Sequence, residues 1–259
     1  MPVKLLKKGS KGKAVERWQQ FLAGIHLYIG KVDGDFGSLT ESATIRLQQA
    51  NGLMPDGIVG ENTYTVAKKY GFDPNEKTSE WFPEKPGFKP LTQKGREKLF
   101  GKFEYEAAPT PNNAEGIRVL GDWRRENIVM VDLPELAEAT GGKYTRMQFH
   151  RLAEYQLRML WKEWKEEGLL DRILTYAGAY NPRFIRGSRT VLSNHSFGTA
   201  FDINAAWNGL GRVPAKKGQR GSVVELVPAA NKWGFYWGGF FSGRPDGMHF
   251  EVAKIIEER

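Results

Sequence analysis

The ten residues Ser193-Asn194-His195-Ser196-Phe197-Gly198-Thr199-Ala200-Phe201-Asp202 decide the fold. His195 and Asp202 stand seven apart, too far for one helix face, where partners lie three or four residues apart. The spacing suits a turn through Gly198 followed by a strand that returns Asp202 toward His195, with small Ala200 leaving room beside it. A second stretch, Asp246-Gly247-Met248-His249-Phe250-Glu251, runs into the alternation of a half-buried strand. Strands are expected over residues 128–133, 174–180, 200–204 and 248–252. A helix is expected over residues 145–167, with Ala153, Leu157, Leu160, Trp161 and Trp164 on one face and Gly168 as its stop. Strands and helices do not alternate strictly. The expected class is therefore α+β, with a small antiparallel sheet flanked by helices and not a doubly wound sheet.

Toward the N-terminus the chain repeats itself. Asp33-Gly34-Asp35-Phe36-Gly37 with Thr40 recurs as Asp56-Gly57-Ile58-Val59-Gly60 with Thr63, so that Asp, Gly, an apolar residue, Gly and Thr return at a constant offset of 23. Asp-Gly supplies a tight turn, and each copy then opens a helical pattern. Ser38 and Glu41 have capping-box spacing, Leu39, Ala43, Leu47 and Ala50 follow on one face, and Asn51-Gly52 ends the helix. The second copy leads into Val66, Ala67 and Tyr70, and Val15, Trp18, Phe21 and Leu22 mark a helix ahead of both. Three short helices and two turns make a unit of a size that folds alone. The basic-glycine start Leu6-Lys7-Lys8-Gly9-Ser10-Lys11-Gly12, the Val15-x-x-Trp18-Gln19 helix and the D-G-x-F-G-x-x-T turn resemble the peptidoglycan-binding domain type 1 family over residues 3–72. That resemblance implies a wall-binding role. The expected division is residues 1–75 as the binding domain, 76–97 as a Pro-rich linker holding Pro83, Pro86 and Pro90, and 98–259 as a second domain.

Bulk properties narrow the function. The chain has 259 residues, 40% of them apolar, enough for a sizeable core, and a net charge of +8 that suits an anionic partner. The five lysines among residues 4–13 read as a solvated start when taken alone. Cysteine is absent, which excludes disulfides and thiolate metal sites. No signal segment or membrane-length apolar run is visible; the longest candidate, residues 233–241, is broken by glycine. The expectation is synthesis in the host cytoplasm without a signal peptide, no membrane partner, and action at the wall after release. No nucleic-acid reading motif or concentrated basic helix accompanies the charge, so no nucleic-acid partner is expected.

Four histidines are present: His26, His150, His195 and His249. The first two read as structural or surface residues, whereas His195 and His249 stand in polar-glycine contexts beside carboxylates. Two histidines and one Asp meet the ligand count of a catalytic zinc site without thiolates. Taken singly, a His with an Asp seven residues on reads first as a core histidine near a carboxylate.

The two stretches together resemble the M15 family of zinc peptidases, the group of D-alanyl-D-alanine carboxypeptidases and L-alanyl-D-glutamate endopeptidases. The pattern S-x-H-x-x-G-x-A-x-D, then an acidic residue three positions before a His, is filled by Ser193, His195, Gly198, Ala200, Asp202, Asp246 and His249. The similarity covers residues 145–253 well and 98–144 weakly. It implies a Zn2+ cofactor held by His195, Asp202 and His249, and Asp246 as general base for the attacking water, a role preferred over that of a turn Asp before Gly247. It also implies an oxyanion-stabilising arginine after Ala177-Gly178-Ala179-Tyr180. Arg183 is preferred over Arg186, and either suits a clamp on substrate carboxylates. Glu251, in register with His249, is a lesser candidate for a supporting partner. Asn231-Lys232-Trp233-Gly234 with Trp237-Gly238-Gly239 looks like the endopeptidase branch. Ser193, Trp207 and Trp237 are expected to contact substrate, with Asn208 beside Trp207.

The implied function is a monomeric hydrolase of wall stem peptides, an L-alanyl-D-glutamate-type endopeptidase resembling phage lysins in its pairing of binding module and enzyme. A D,D-carboxypeptidase and a catalytically silent wall-binding virion component are the alternatives; the intact Asp246 speaks against the silent one.

Overall fold

Val15, Trp18, Gln19, Phe21 and Leu22 recur at helical spacing and form the buried face of α1 (Lys13–Gly24). The computed structural model describes residues 5–25, 27–70, 72 and 82–258, and His26 lies outside them. Two compact units result, one of Met1–Phe82 with Leu210–Val213 and Phe241–Pro245, the other of the remaining chain.

In the first unit, α1, α2 (Ser38–Ala50) and α3 (Glu61–Lys69) enclose an aromatic cluster of Trp18, Phe21, Tyr64 and Phe72, with ring centroids 5.1–5.8 Å apart. The repeat is closed by a pair of buried glutamines. Gln19 Oε1 accepts from the N–H groups of Asp33 and Gly34 at 3.1 and 2.9 Å, while its Nε2 donates to Asp33 Oδ1 and Thr40 Oγ1 at 3.0 Å. Gln48 repeats this on the second turn, accepting from Gly57 N–H at 2.9 Å and donating to Asp56 Oδ1 at 2.8 Å and Thr63 Oγ1 at 3.2 Å. Gly34 and Gly57 have φ of 74° and 71°, so each turn needs its glycine. A constant-offset search misses these glutamines because the connections from Gln19 and Gln48 to their turns differ in length.

The same network corrects the reading of α2. Its N-cap is Gly37 with no side-chain cap, and Glu41 pairs with Lys8 at 2.9 Å. The buried face is Thr40, Ala43, Thr44, Leu47 and Gln48, whereas Leu39 and Ala50 are exposed. Polar residues bonded inside the core are invisible to an apolar count; Thr44 Oγ1, for example, accepts from Trp18 Nε1 at 2.9 Å. Tyr70 lies on the surface.

In the second unit, α4 (Gln93–Phe100) starts inside the stretch read as linker, capped by Thr92 Oγ1, which accepts from Gly95 N–H at 3.1 Å. Next come the ribbon β1 (Tyr105–Ala107) and β2 (Ile117–Val119), helix α5 (Trp123–Asn127), β3 (Ile128–Asp132), α6 (Pro134–Ala139) and β4 (Arg146–His150). Strand β4 corrects the helix expected from residue 145. Arg146–His150 pairs antiparallel with Ile128–Asp132, burying Met147 and Phe149, and α7 begins only at Glu154 and ends at Glu166. A short period-2 run abutting a long period-3.6 run was absorbed into it.

After α7 come β5 (Tyr176–Gly178), β6 (Ala200–Ile203), α8 (Val227–Lys232), β7 (Phe235–Trp237) and β8 (His249–Val252). The sheet order is β5-β6-β8-β7, all antiparallel. The chain is thus α+β. Trp161 and Trp164 of α7 pack on Phe201 and Phe250 at 5.9–6.0 Å; removing either indole would cost about 3–5 kcal/mol. Because strand side chains alternate, burying Phe201 and Phe250 under α7 turns Asp202 and His249 to the opposite face, where they are register partners. Among the described residues no helix is long and apolar enough to cross a membrane.

His150 closes β4 as a structural residue. It is fully buried, its Nδ1 accepts from Leu152 N–H at 3.2 Å and its Nε2 lies 3.2 Å from Phe100 O, which satisfies the neutral ring. Burial pushes its pKa from 6.5 down to about 4, against the Phe100 carbonyl. The folded value is the lower one, so its contribution is complete above pH 6.5 and is lost as pH falls toward 4. The loss should reach about 3 kcal/mol. Urea midpoints at pH 7.5 and 4.5 should fall further in wild type than in His150→Gln; equal falls would contradict the assignment.

Candidate metal centre

Ser193 Oγ accepts from His195 N–H at 3.3 Å and so caps the single 3-10 turn Asn194–Phe197. The turn ends at Gly198 with φ 64°, where a Cβ would stand 2.6 Å from Ile128 Cδ1. The left-handed backbone favours glycine there, and a Cβ would also stand 3.2 Å from the backbone nitrogen of His150. Gly198 O accepts from His150 N–H at 2.7 Å, tying the turn to β4. Ser193 is thus buried and used as a cap.

From this turn His195 points at the polar face of the sheet. Its Nδ1 lies 2.6 Å from Ala179 O, so Nδ1 carries the proton and Nε2 faces inward. Nε2 stands 3.2 Å from Asp202 Oδ2 and 3.1 Å from His249 Nδ1, and that Nδ1 is 2.9 Å from Asp202 Oδ1. His249 Nε2 is 3.0 Å from Glu251 Oε2, which fixes the opposite tautomer and leaves Nδ1 inward. Glu251 also accepts from Asn194 Nδ2 and is almost wholly buried. Alternation along β8 puts Glu251 on the His249 face, a signal present in the sequence but given little weight there. Burial opposes charge on Asp202, yet the two histidines more than offset it and hold the carboxyl well below its ordinary value. His249 is shifted upward: burial lowers its pKa, but Asp202 and Glu251 raise it further.

His195, Asp202 and His249 form the group of possible metal ligands among the described residues. Tetrahedral bonds of about 2.0–2.1 Å put ligand atoms about 3.3 Å apart, and the observed 2.9–3.2 Å fits that cradle. Two imidazoles and a carboxylate are donors suited to Zn2+.

Asp246 sits on the turn before β8. Its N–H donates to Gly238 O at 2.9 Å, and a Cβ on Gly238 would stand 2.5 Å from Asp246 O. Trp237 Nε1 donates to Gly247 O at 2.8 Å. The Trp237-Gly238 pair therefore holds this turn from beneath. Trp237 is fully buried, which corrects its expected place in the substrate groove. Asp246 Oδ1 is buried with no hydrogen-bond partner among the described residues. Burial pushes its pKa up; His249 lowers it and Asp202 raises it. An unsatisfied buried carboxylate oxygen is costly to keep and marks a site of chemistry more than of stability.

The two arginines separate. Arg186 pairs with Glu115 at 2.8 Å on the surface. Arg183 is more enclosed: burial lowers its pKa while Asp202 and Asp246 raise it, so its charge lies in the field of both carboxylates. Its backbone is pinned by Ser196 Oγ, which accepts from Arg183 N–H at 2.8 Å and donates to Arg183 O at 2.6 Å. Gly116 bridges to Arg183, Ile117 N–H donates to Pro182 O at 3.1 Å, and Phe184 N–H donates to Glu115 O at 2.9 Å. The β1–β2 ribbon, from the stretch of weak resemblance, thereby buttresses the arginine arm. Trp207 is half-buried with the Arg220 guanidinium 5.5 Å from its ring. Asn208 is fully buried, and its Nδ2 donates to Asn204 O and Gly221 O, so it is scaffold and does not line a groove.

Comparison with known proteins fits this geometry. Residues 186–252 match the family model described as D-alanyl-D-alanine carboxypeptidase, which takes in all three candidate ligands and Asp246 and begins just after Arg183. Residues 11–66 match the peptidoglycan binding domain model. Among solved structures, the SleB N-terminal domain is 32% identical, with 28% of this chain and 99% of that chain covered at a TM-score of 0.27. The chain carries an M15-type peptidase domain and an N-terminal peptidoglycan-binding domain, which together support a peptidoglycan-acting hydrolase of the metallopeptidase class.

Proposed function

We propose that the chain is a zinc-dependent endopeptidase of the L-alanyl-D-glutamate type that acts as a lysin. The observation that carries the catalytic reading is the convergence of His195 Nε2, Asp202 and His249 Nδ1 beside the orphaned oxygen of Asp246. His195, Asp202 and His249 would hold Zn2+, which when bound would supply Lewis acidity toward a carbonyl oxygen and a water. Asp246 takes the proton of the attacking water and passes it to the leaving amine. Arg183 stabilises the oxyanion by charge; Arg186, committed to Glu115, is the lesser choice. Trp207 remains the aromatic candidate for substrate contact. Residues 1–75 hold the wall and residues 98–259 cut it.

The preference for an endopeptidase rests on the wall-binding domain. Tethering raises the effective concentration of crosslinked, insoluble stems. The name of the matched family supports a second reading, a D,D-carboxypeptidase. Digestion of purified sacculi, read by mass spectrometry, separates the two. Soluble stem peptides with new N-termini on D-Glu are expected; free D-alanine with shortened stems would instead establish the carboxypeptidase.

A further inference from the structure

Helix α4 lies outside the stretch matched by the peptidase family model, yet its side chains close on the turn that carries His195. Arg96 is 4% exposed, and its guanidinium donates to Leu91 O at 2.8 Å and Leu192 O at 2.9 Å. Gln93 Oε1, one helical turn earlier, accepts from Leu192 N–H at 3.2 Å. Both backbone polar groups of buried Leu192 are therefore held by a single helix. Leu192 directly precedes Ser193, the cap of the His195 turn. The same guanidinium lies 5.8 Å from the ring of Phe197, the last residue of that turn. The helix thus grips both ends of the segment on which His195 stands.

We propose that Arg96 and Gln93 are positioning residues that fix where His195 Nε2 sits, and so set how tightly the metal is held. This rests on the metallopeptidase reading above. Desolvating a guanidinium is costly, and the two bonds to Leu91 O and Leu192 O are what offset that cost. Arg96 Nε has no hydrogen-bond partner among the described residues. What the arginine supplies is register. Its planar fork reaches two carbonyls from separate segments at once, which the single ammonium of a lysine matches poorly.

The test uses the full chain, stripped of metal and titrated with zinc ion against a chromophoric chelator. Arg96→Met should weaken zinc binding about 10–100-fold, the usual effect of losing a group that orients a ligand. Its metal-free form, with Leu91 O and Leu192 O left unpaired, should melt lower, so affinities are compared at a temperature where every metal-free variant is folded. Gln93→Ala should weaken binding by less, and Arg96→Lys should recover part of the loss. Where Arg96→Met fails to fold, the half-exposed Gln93→Ala decides. Unchanged zinc affinity in the folded variants, or a loss that only follows the metal-free melting temperature, overturns the proposal. If wild type takes up no zinc, the metallopeptidase reading falls first, and that is seen before any variant is compared.

Discussion

Asp246→Asn is expected to keep one zinc ion per chain, to melt no lower than wild type, and to lose kcat by about 10²–10⁴-fold, the range for a positioned proton-transfer group. The pairing of lost rate with kept stability follows from the site. Asp246 Oδ1 is buried without a partner, so replacing the carboxylate by its isosteric amide removes a desolvated charge and breaks no side-chain bond to that oxygen. The turn itself survives because Gly238 O and Trp237 Nε1 hold its backbone. Elemental analysis, a melting curve and single-turnover kinetics on one preparation check all three statements. Zinc lost together with rate would recast Asp246 as a ligand.

His195→Ala is expected to act more severely, weakening zinc binding by more than about 100-fold, beyond the effect of losing a group that merely orients a ligand. Nε2 supplies one corner of the cradle, 3.1–3.2 Å from the other two ligand atoms. Among the described residues no other histidine is available to replace it, since His150 is committed to Phe100 O and Leu152 N–H on β4. Activity should vanish at zinc concentrations that saturate wild type. An unchanged zinc titration in His195→Ala would remove this residue from the ligand set.

Much of this site was legible because strand alternation is simple. Once Phe201 and Phe250 are assigned to the core, Asp202, His249 and Glu251 must face the other way. The repeat of Asp-Gly turns was equally readable. What escaped was polar structure. Gln19, Gln48, Thr40 and Thr44 are core residues of the first unit, and an apolar count cannot see side chains whose burial is made possible by mutual hydrogen bonds. Helix α4 escaped for a related reason, since its buried face consists of Arg96 and Phe100 alone. Trp237 misled in the other direction. A tryptophan beside a catalytic turn reads as a substrate platform, but its indole is spent on Gly247 O beneath the turn. Residues 146–150 were lost to the longer helical pattern after them, because their pairing partner, Ile128–Asp132, is not adjacent in sequence.

The most direct measurement is the zinc content of the purified full chain together with release of soluble peptides from sacculi, before and after exhaustive chelation. One zinc ion per chain is predicted, with no release once the metal is stripped and recovery when zinc is restored. Undiminished release by the stripped protein, with no metal detected, would contradict the metal site at His195, Asp202 and His249.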